Sequence, residues 1–247
     1  MTKYLIVGSG RLAKHISCYL TLLKIPYSTW SRKSPIDTRE RLAALAEKAQ
    51  RTLLLISDNE IPHFVKSNDF LKNHFLVHCS GSHSFTFAKS AHPLNTFGPE
   101  LYDLNTYSQT PFVIDDNGPE FSEILPGLPN PVFKLDPNKK SLYHALCVMS
   151  GNFSTLLWQN TFERFATELH LPPEILFQYV KSVTQNLMLA PNDALTGPLK
   201  RGDTSTLVRN LDALNNTPEQ NLYYAFLNFY LAKNKSRGEQ KNDHLGI

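Results

Sequence analysis

What the chain has little of narrows its function first. It carries only three cysteines, Cys18, Cys79 and Cys147, far apart and without metal-ligand spacing. An odd, unpatterned set of this kind reads as reduced thiols in a cytosol. No apolar run is long enough to span a bilayer, and an apolar strand starts within three residues of the first, leaving no room for a secretory leader. The expectation is a cytoplasmic protein with no membrane partner. An excess of one charge is also missing: the formal net charge is +3, and the basic residues are scattered apart from short clusters such as Arg32-Lys33 and Lys139-Lys140. No nucleic-acid partner is expected from that balance. No repeat recurs at solenoid periods. What is present is 41% hydrophobic and 19% charged over 247 residues, which suits one good core, or a nucleotide-sized domain plus a smaller one.

The first half alternates. Tyr4-Leu5-Ile6-Val7 is a short apolar run ending in Gly8, the pattern of a buried parallel strand. Leu12, Ile16, Leu20 and Leu23 follow at helical spacing, with Ala13 beside Leu12 and Pro26 beyond the end. Residues 26–30 read as a second strand, 39–49 as a helix, 52–56 and 75–79 as third and fourth strands, and 111–114 and 132–135 as later ones. Strand, helix, strand, repeated, predicts an α/β fold with a doubly wound parallel sheet. The texture changes near Asp136-Pro137-Asn138, where Asp136 or Asn138 suits a helix cap. From Lys139 to Leu169 there is no proline and one glycine, Gly151, which predicts a helix of roughly 30 residues, about 45 Å long. Further helices are expected over 173–190, 204–215 and 218–234, and the polar tail "RGEQKNDHLGI" is expected to fray. The boundary is placed at residue 137, with domains at 1–137 and 138–247, the second all-helical.

Gly8-Ser9-Gly10-Arg11-Leu12-Ala13 fits G-x-G-x-x-A between a strand and a helix, the context a dinucleotide grip requires. Gly8 allows the tight turn, Gly10 lets a pyrophosphate approach the backbone, and Ala13 lets the helix pack close to the strand. Free N–H groups at the positive helix end would then face the phosphates. About 20 residues on, where an NAD site usually holds an acid, the chain reads "STWSRKS". Ser31, Arg32 and Lys33 there offer a hydroxyl and two cations, and Ser34 a further hydroxyl. A carboxylate would repel a 2′-phosphate, whereas an arginine binds it, so NADP(H) is expected as cofactor. Arg11 could add another phosphate contact. Ser57, Asp58, Cys79, Ser80 and Gly81 follow strands three and four and should line the cleft where a nicotinamide lies, although Asp58 could instead cap the following helix.

Three stretches could carry chemistry. "AHPLNTF", residues 91–97, sits where a substrate-facing loop should be, with His92 held extended by Pro93. "YHALCVMSGNF", residues 143–153, places His144 and Asn152 eight positions apart on the long helix, about 80° apart in azimuth and about 12 Å in height. "LTGPLKRGD", residues 195–203, is a broken loop with Thr196, Arg201 and Asp203. The bland alternatives are a packed or exposed histidine, and an Arg201 that only pairs with Asp203.

Taken in order, "GSGRLA", "SRKS", "SDNEI", "CSGS", "AHPLNTF", "YHALCVMSGNF" and "LTGPLKRGD" resemble Rossmann-like NADP oxidoreductases with a helical C-terminal domain. These are relatives of pyrroline-5-carboxylate reductase and 6-phosphogluconate dehydrogenase, some acting as an alternative class of ketopantoate reductase. The resemblance implies NADPH as hydride donor, a small-molecule 2-oxo acid as substrate, ketopantoate first among them, and a homodimer through the helical domain. The better-known ketopantoate reductases carry a lysine followed four residues later by an asparagine on the second-domain helix. Here His144 is followed four positions on by Val148, so the proton donor falls to His144 or His92. Arg201 would then hold a substrate carboxylate and Asn152 would orient the substrate. A reductase of cyclic imines and a non-catalytic NADP-sensing module are the alternatives.

Overall fold

The computed structural model describes residues 4–236, so the polar tail from Arg237 onward lies outside the described residues. Seven strands form one sheet: β1 (Tyr4–Val7), β2 (Tyr27–Trp30), β3 (Arg51–Leu54), β4 (Leu76–His78), β5 (Lys89–Pro93), β6 (Phe112–Asp115) and β7 (Val132–Leu135). Their order is β2-β1-β3-β4-β5-β6-β7. β1 pairs with β2 on one side and β3 on the other, so the order reverses there and opens a crevice beyond the carboxyl ends of β1 and β3. Five pairings are parallel; β5 and β6 are antiparallel.

Period-two alternation explains why both faces are covered. Tyr4, Ile6 and Leu53 enter one core with Ile16, Tyr19 and Leu20 of α1 (Arg11–Leu22). Leu5, Val7 and Leu54 enter the other with Leu42 of α2 (Arg39–Ala46) and with Phe64 and Val65 of α3 (Ile61–Ser67). Helix α1 ends in a left-handed turn at Lys24 (φ 57°), with Ile25 N–H donating to the Leu20 carbonyl at 2.9 Å, two residues before Pro26. Two short helices, α4 (Leu104–Gln109) and α5 (Phe121–Ile124), complete the first core.

His92, expected on a loop, lies on β5. The strand is short, and Ser90 and Ala91 lack the branched or aromatic side chains that mark a strand in sequence. Its buried place inside the sheet is set by its neighbours on both sides. The predicted long helix also differs. It consists of α6 (Lys140–Cys147), a wider π-helical segment at Val148–Phe153, and α7 (Ser154–Thr167). A π segment adds a residue to a turn, so the azimuth expected between His144 and Asn152 does not carry across it. The sheet ends at Leu135, near the change of texture, and Asp136 accepts from Asn138 N–H at 2.9 Å.

The chain divides into compact units at 1–158 and 159–247. The first retains α6 because Lys140 is tied to the sheet. The second contains most of α7, then α8 (Phe177–Leu189), α9 (Gly197–Arg201), α10 (Thr204–Ala213) and α11 (Pro218–Ser236). Its small core is Leu207, Leu211 and Leu227, flanked by Leu199 and Tyr223. Arg164 pairs with Glu168 at 2.7 Å and Glu219 at 3.3 Å. No helix of the described residues is long and apolar enough to cross a membrane.

Asn130 closes the first core. Its carbonyl accepts from Tyr19 at 2.8 Å, and its amide donates to the carbonyls of Tyr107 at 2.7 Å and Thr110 at 3.0 Å, satisfying the end of α4. Asn130→Leu strands these buried groups. It should cost about 3 kcal/mol in urea unfolding, against less than about 1 for the exposed Asn105→Leu.

Candidate functional site

The cleft at the β1/β3 crossover has a volume of about 470 Å³ and is lined by Gly8, Ser9, Gly10, Arg11, Leu12, Ser31, Arg32, Lys33, Ser57, Asp58 and Cys79. Gly8 has φ +132°, and a Cβ there would lie 2.2 Å from the Leu55 carbonyl oxygen, so no other residue fits. Gly10 is the N-cap of α1 and offers no side-chain cap; a Cβ on it would meet nothing within 4 Å. The first turn of α1 therefore presents unpaired N–H groups to open space, which suits a phosphate. Ala13 is buried at the helix–strand contact.

The basic loop is ordered by hydrogen bonds. Ser31 donates from its hydroxyl to Ser9 Oγ at 2.9 Å and from its N–H to the Asp37 carboxylate at 2.9 Å. Asp37 is the acid that the motif reading did not register. It pairs with Arg41 at 2.8 Å and lines the neighbouring groove instead of the cleft, so its charge is offset. Arg32 makes one exposed contact, to Glu60 at 3.7 Å. A pair this long and exposed holds the guanidinium weakly. Arg11 donates to the Phe97 carbonyl at 3.3 Å.

Ser80 differs from the expectation of a cleft-lining residue. It is buried, its hydroxyl donates to the Asp58 carboxylate, and His83 Nδ1 lies 3.1 Å from the same oxygen. It orients Asp58, which lines the cleft and opens a short helical turn at Asp58–Glu60. Cys79 is half-buried in the cleft wall, and desolvation pushes its thiol up to about 12, which disfavours it as a nucleophile.

The two histidines singled out in the sequence come together. Their rings are edge to face with centroids 6.1 Å apart. His144 Nδ1 and His92 Nε2 converge on Gly81, lying 2.7 and 2.9 Å from where its Cβ would be. Tyr143 meets His92 Nδ1 at 2.7 Å, and burial raises the phenol's pKa so that it keeps its proton. Where Tyr143 donates to Nδ1, the imidazole proton sits on Nε2 and faces Gly81; where Nδ1 donates to the phenol oxygen, Nε2 faces Gly81 as an acceptor. His92 is lowered to about 4, first by burial and then by His144 and Lys140; it is a neutral imidazole at neutral pH. His144 Nδ1 is buried without a hydrogen-bond partner. The site thus gathers ring nitrogens that can donate or accept a hydrogen bond.

Asn152 is exposed, within the π segment. Arg201 is exposed at the end of α9 in the second unit, close enough to Asp203 to lower its carboxyl further. Asp203 itself caps α10 by accepting from Thr206 N–H at 3.1 Å, a structural task that the D-T-S-T string foreshadows. Sequence reasoning missed Tyr143 and Lys140. The latter is a buried cation one helical turn before His144, and that i, i+4 spacing was the available signal.

A family model described as a domain of unknown function (DUF2520) matches residues 117–228. No curated protein matches the sequence. Among solved structures, the chain is similar to a Bacteroides fragilis protein assigned provisionally as an NADP oxidoreductase, with TM-score 0.74, 20% identity and coverage of 93% of this chain and 97% of that one. Protein TM1727 of Thermotoga maritima gives 0.64 at 24% identity, covering 95% and 99%. The imine reductase of Myxococcus stipitatus in complex with NADP+ gives 0.62 at 12%, covering 98% and 97%. These likenesses establish the fold, a Rossmann-like sheet followed by a helical region.

Two outcomes test the site's geometry. Gly81→Ala places a methyl within 3 Å of both rings and should change the imidazole NMR signals of His92 and His144 while leaving the Gly8–Gly10 turn intact. His92 and the wholly buried His78, lowered to about 3 chiefly by burial, both bind protons more readily when unfolded. Stability should therefore be full above about pH 6.5 and fall as pH drops toward 4. Urea unfolding near pH 5 should take up close to two protons; a pH-independent midpoint between 7 and 5 contradicts the buried neutral state.

Proposed function

We propose that the cleft binds NADP(H) and that the protein is an NADPH-dependent reductase of a small carbonyl compound. The observation that carries this is the Gly8–Gly10 turn at the crossover, which leaves the helix N-terminus open beside the exposed cations Arg32 and Lys33. Gly10 and the first turn of α1 would hold the diphosphate. Ser31, Arg32 and Lys33 would take the 2′-phosphate, with Arg32 giving up its weak contact to Glu60. When bound, the reduced nicotinamide supplies a hydride.

The chain's own part is to meet the developing negative charge. An alkoxide or amide anion forming near Gly81 would need a hydrogen-bond donor, and a neutral imidazole N–H is one that brings no charge into a buried place, while the proton that completes the product would come from water. His92 Nε2 and His144 Nδ1 both reach that point, and a Tyr143 hydroxyl donating to Nδ1 would place the His92 proton on Nε2. Two-oxo acids are the first substrate class, with ketopantoate the leading candidate on the sequence resemblance. Cyclic imines are the second reading, favoured by the likeness to an imine reductase over 98% of the chain.

Calorimetry with NADPH and NADH, followed by NADPH oxidation with ketopantoate, other 2-oxo acids and a cyclic imine, tests the reading. Arg32→Ala should weaken NADPH binding about tenfold and leave NADH nearly unchanged. His144→Ala should lose turnover while keeping NADPH affinity. No heat from either coenzyme would sink the reading, and binding without turnover on any substrate would leave a nucleotide sensor.

A further inference from the structure

Lys140 is the one buried lysine among the described residues, with 4% of its surface exposed. It occupies the first turn of α6, where a cation opposes the helix dipole and the turn itself holds no acidic residue. Its ammonium donates to Ser90 Oγ at 2.6 Å and lies 3.3 Å from Asp115 Oδ1. Ser90 is in register with His78 on β4. Continuing the antiparallel register of β5 and β6 by one residue places Asp115 opposite Ser90. Lys140 thus sits over a row that crosses three strands: His78, Ser90, Asp115.

One step along, the same two elements meet again. His92 is two residues past Ser90 on the same face of β5, about 6.6 Å on. His144 is four residues past Lys140 on the same face of α6, about 6 Å on. The two repeats nearly match, so when Lys140 docks on Ser90, His144 arrives beside His92, as their 6.1 Å ring separation records. We propose that Lys140 is a positioning residue for the histidine pair: its clamp on Ser90 and Asp115 sets the register of α6 on β5, and its buried positive charge faces the His92 ring.

The groups acting on His92 are those that face it from each packed element. They are His144, Tyr143 and Lys140 from α6, Asp58 from beyond β3, and His78 from β4. Lys140 lowers His92 and His78 alike, and Asp115 is its nearest counter-charge. A structural anchor alone would make Lys140 and Asp115 interchangeable in effect. A charge role makes them opposite.

The experiment follows the imidazole resonances of the full-length protein through a pH titration. Lys140→Met should raise the His92 midpoint by about one pH unit, a tenfold change in its protonation equilibrium. Asp115→Asn, which leaves the ammonium uncompensated, should lower it. Lys140→Arg should restore a midpoint near the wild-type value, and Ser90→Ala, which removes a hydrogen bond but no charge, should leave it in place. If Lys140→Met does not fold, Asp115→Asn and Ser90→Ala still decide, because they must differ. Equal midpoints in those two, or an unchanged midpoint in folded Lys140→Met, overturns the proposal. The consequence for turnover rests on the reductase reading: the acid limb of kcat should move with the His92 midpoint. Absence of turnover in the wild type would defeat that reading and leave the titration result to decide the role of Lys140.

Discussion

Gly8 is held between two neighbouring strands, and the rest of the nucleotide end follows from that. Its N–H donates to the Trp30 carbonyl at 2.8 Å, and Leu55 N–H donates to Val7 at the same distance. The backbone pairing of β1 therefore runs one residue past the strand on both sides. The Leu55 carbonyl fills the place a side chain would need. With the chain pinned there, it turns at once into α1 with its N-terminus at the crevice, and the cleft is a by-product of strand order.

A second constraint shapes the other end. Helix α6 must bring a charged side chain into the sheet's edge of the core, which is costly unless it is fully paired. Ser90 and Asp115 provide the pairing. The same docking sets two imidazoles against Gly81, the His92 ring in a place too buried to charge easily. Polar groups at this depth favour a single arrangement because alternative ones leave them unsatisfied.

The alternating half of the fold was legible in the sequence because its signals are local. β1, α1, β2 and β7 fall within a residue or two of the apolar runs and breaks that mark them. β5 was not legible, since Lys-Ser-Ala-His-Pro has no strand-forming side chains and owes its conformation to β4 and β6. The π segment at Val148–Phe153 left no trace either, because a widened turn changes hydrogen-bond partners and not composition. Within the site, the motif residues could be named one by one, and Gly8, Gly10 and Arg32 all line the cleft. The meeting of His92 with His144 could not be seen, being a contact across 52 positions. Asp37 and Lys140 were hidden for the opposite reason: charged residues in short polar strings read as surface until the fold shows what they neutralise.

The stretch after β5 is tied down at both ends. Pro93 belongs to the strand, while the carbonyls of Phe97 and Gly98 are held by Arg11 and His15 of α1, and His15 is in turn braced by Tyr107 at 2.8 Å. Surface connections usually tolerate changes in length. This one spans a fixed gap between a strand and a helix, so an added or deleted residue would have to release an arginine, a buried imidazole or the strand register. Among homologues, its length should vary less than its letters.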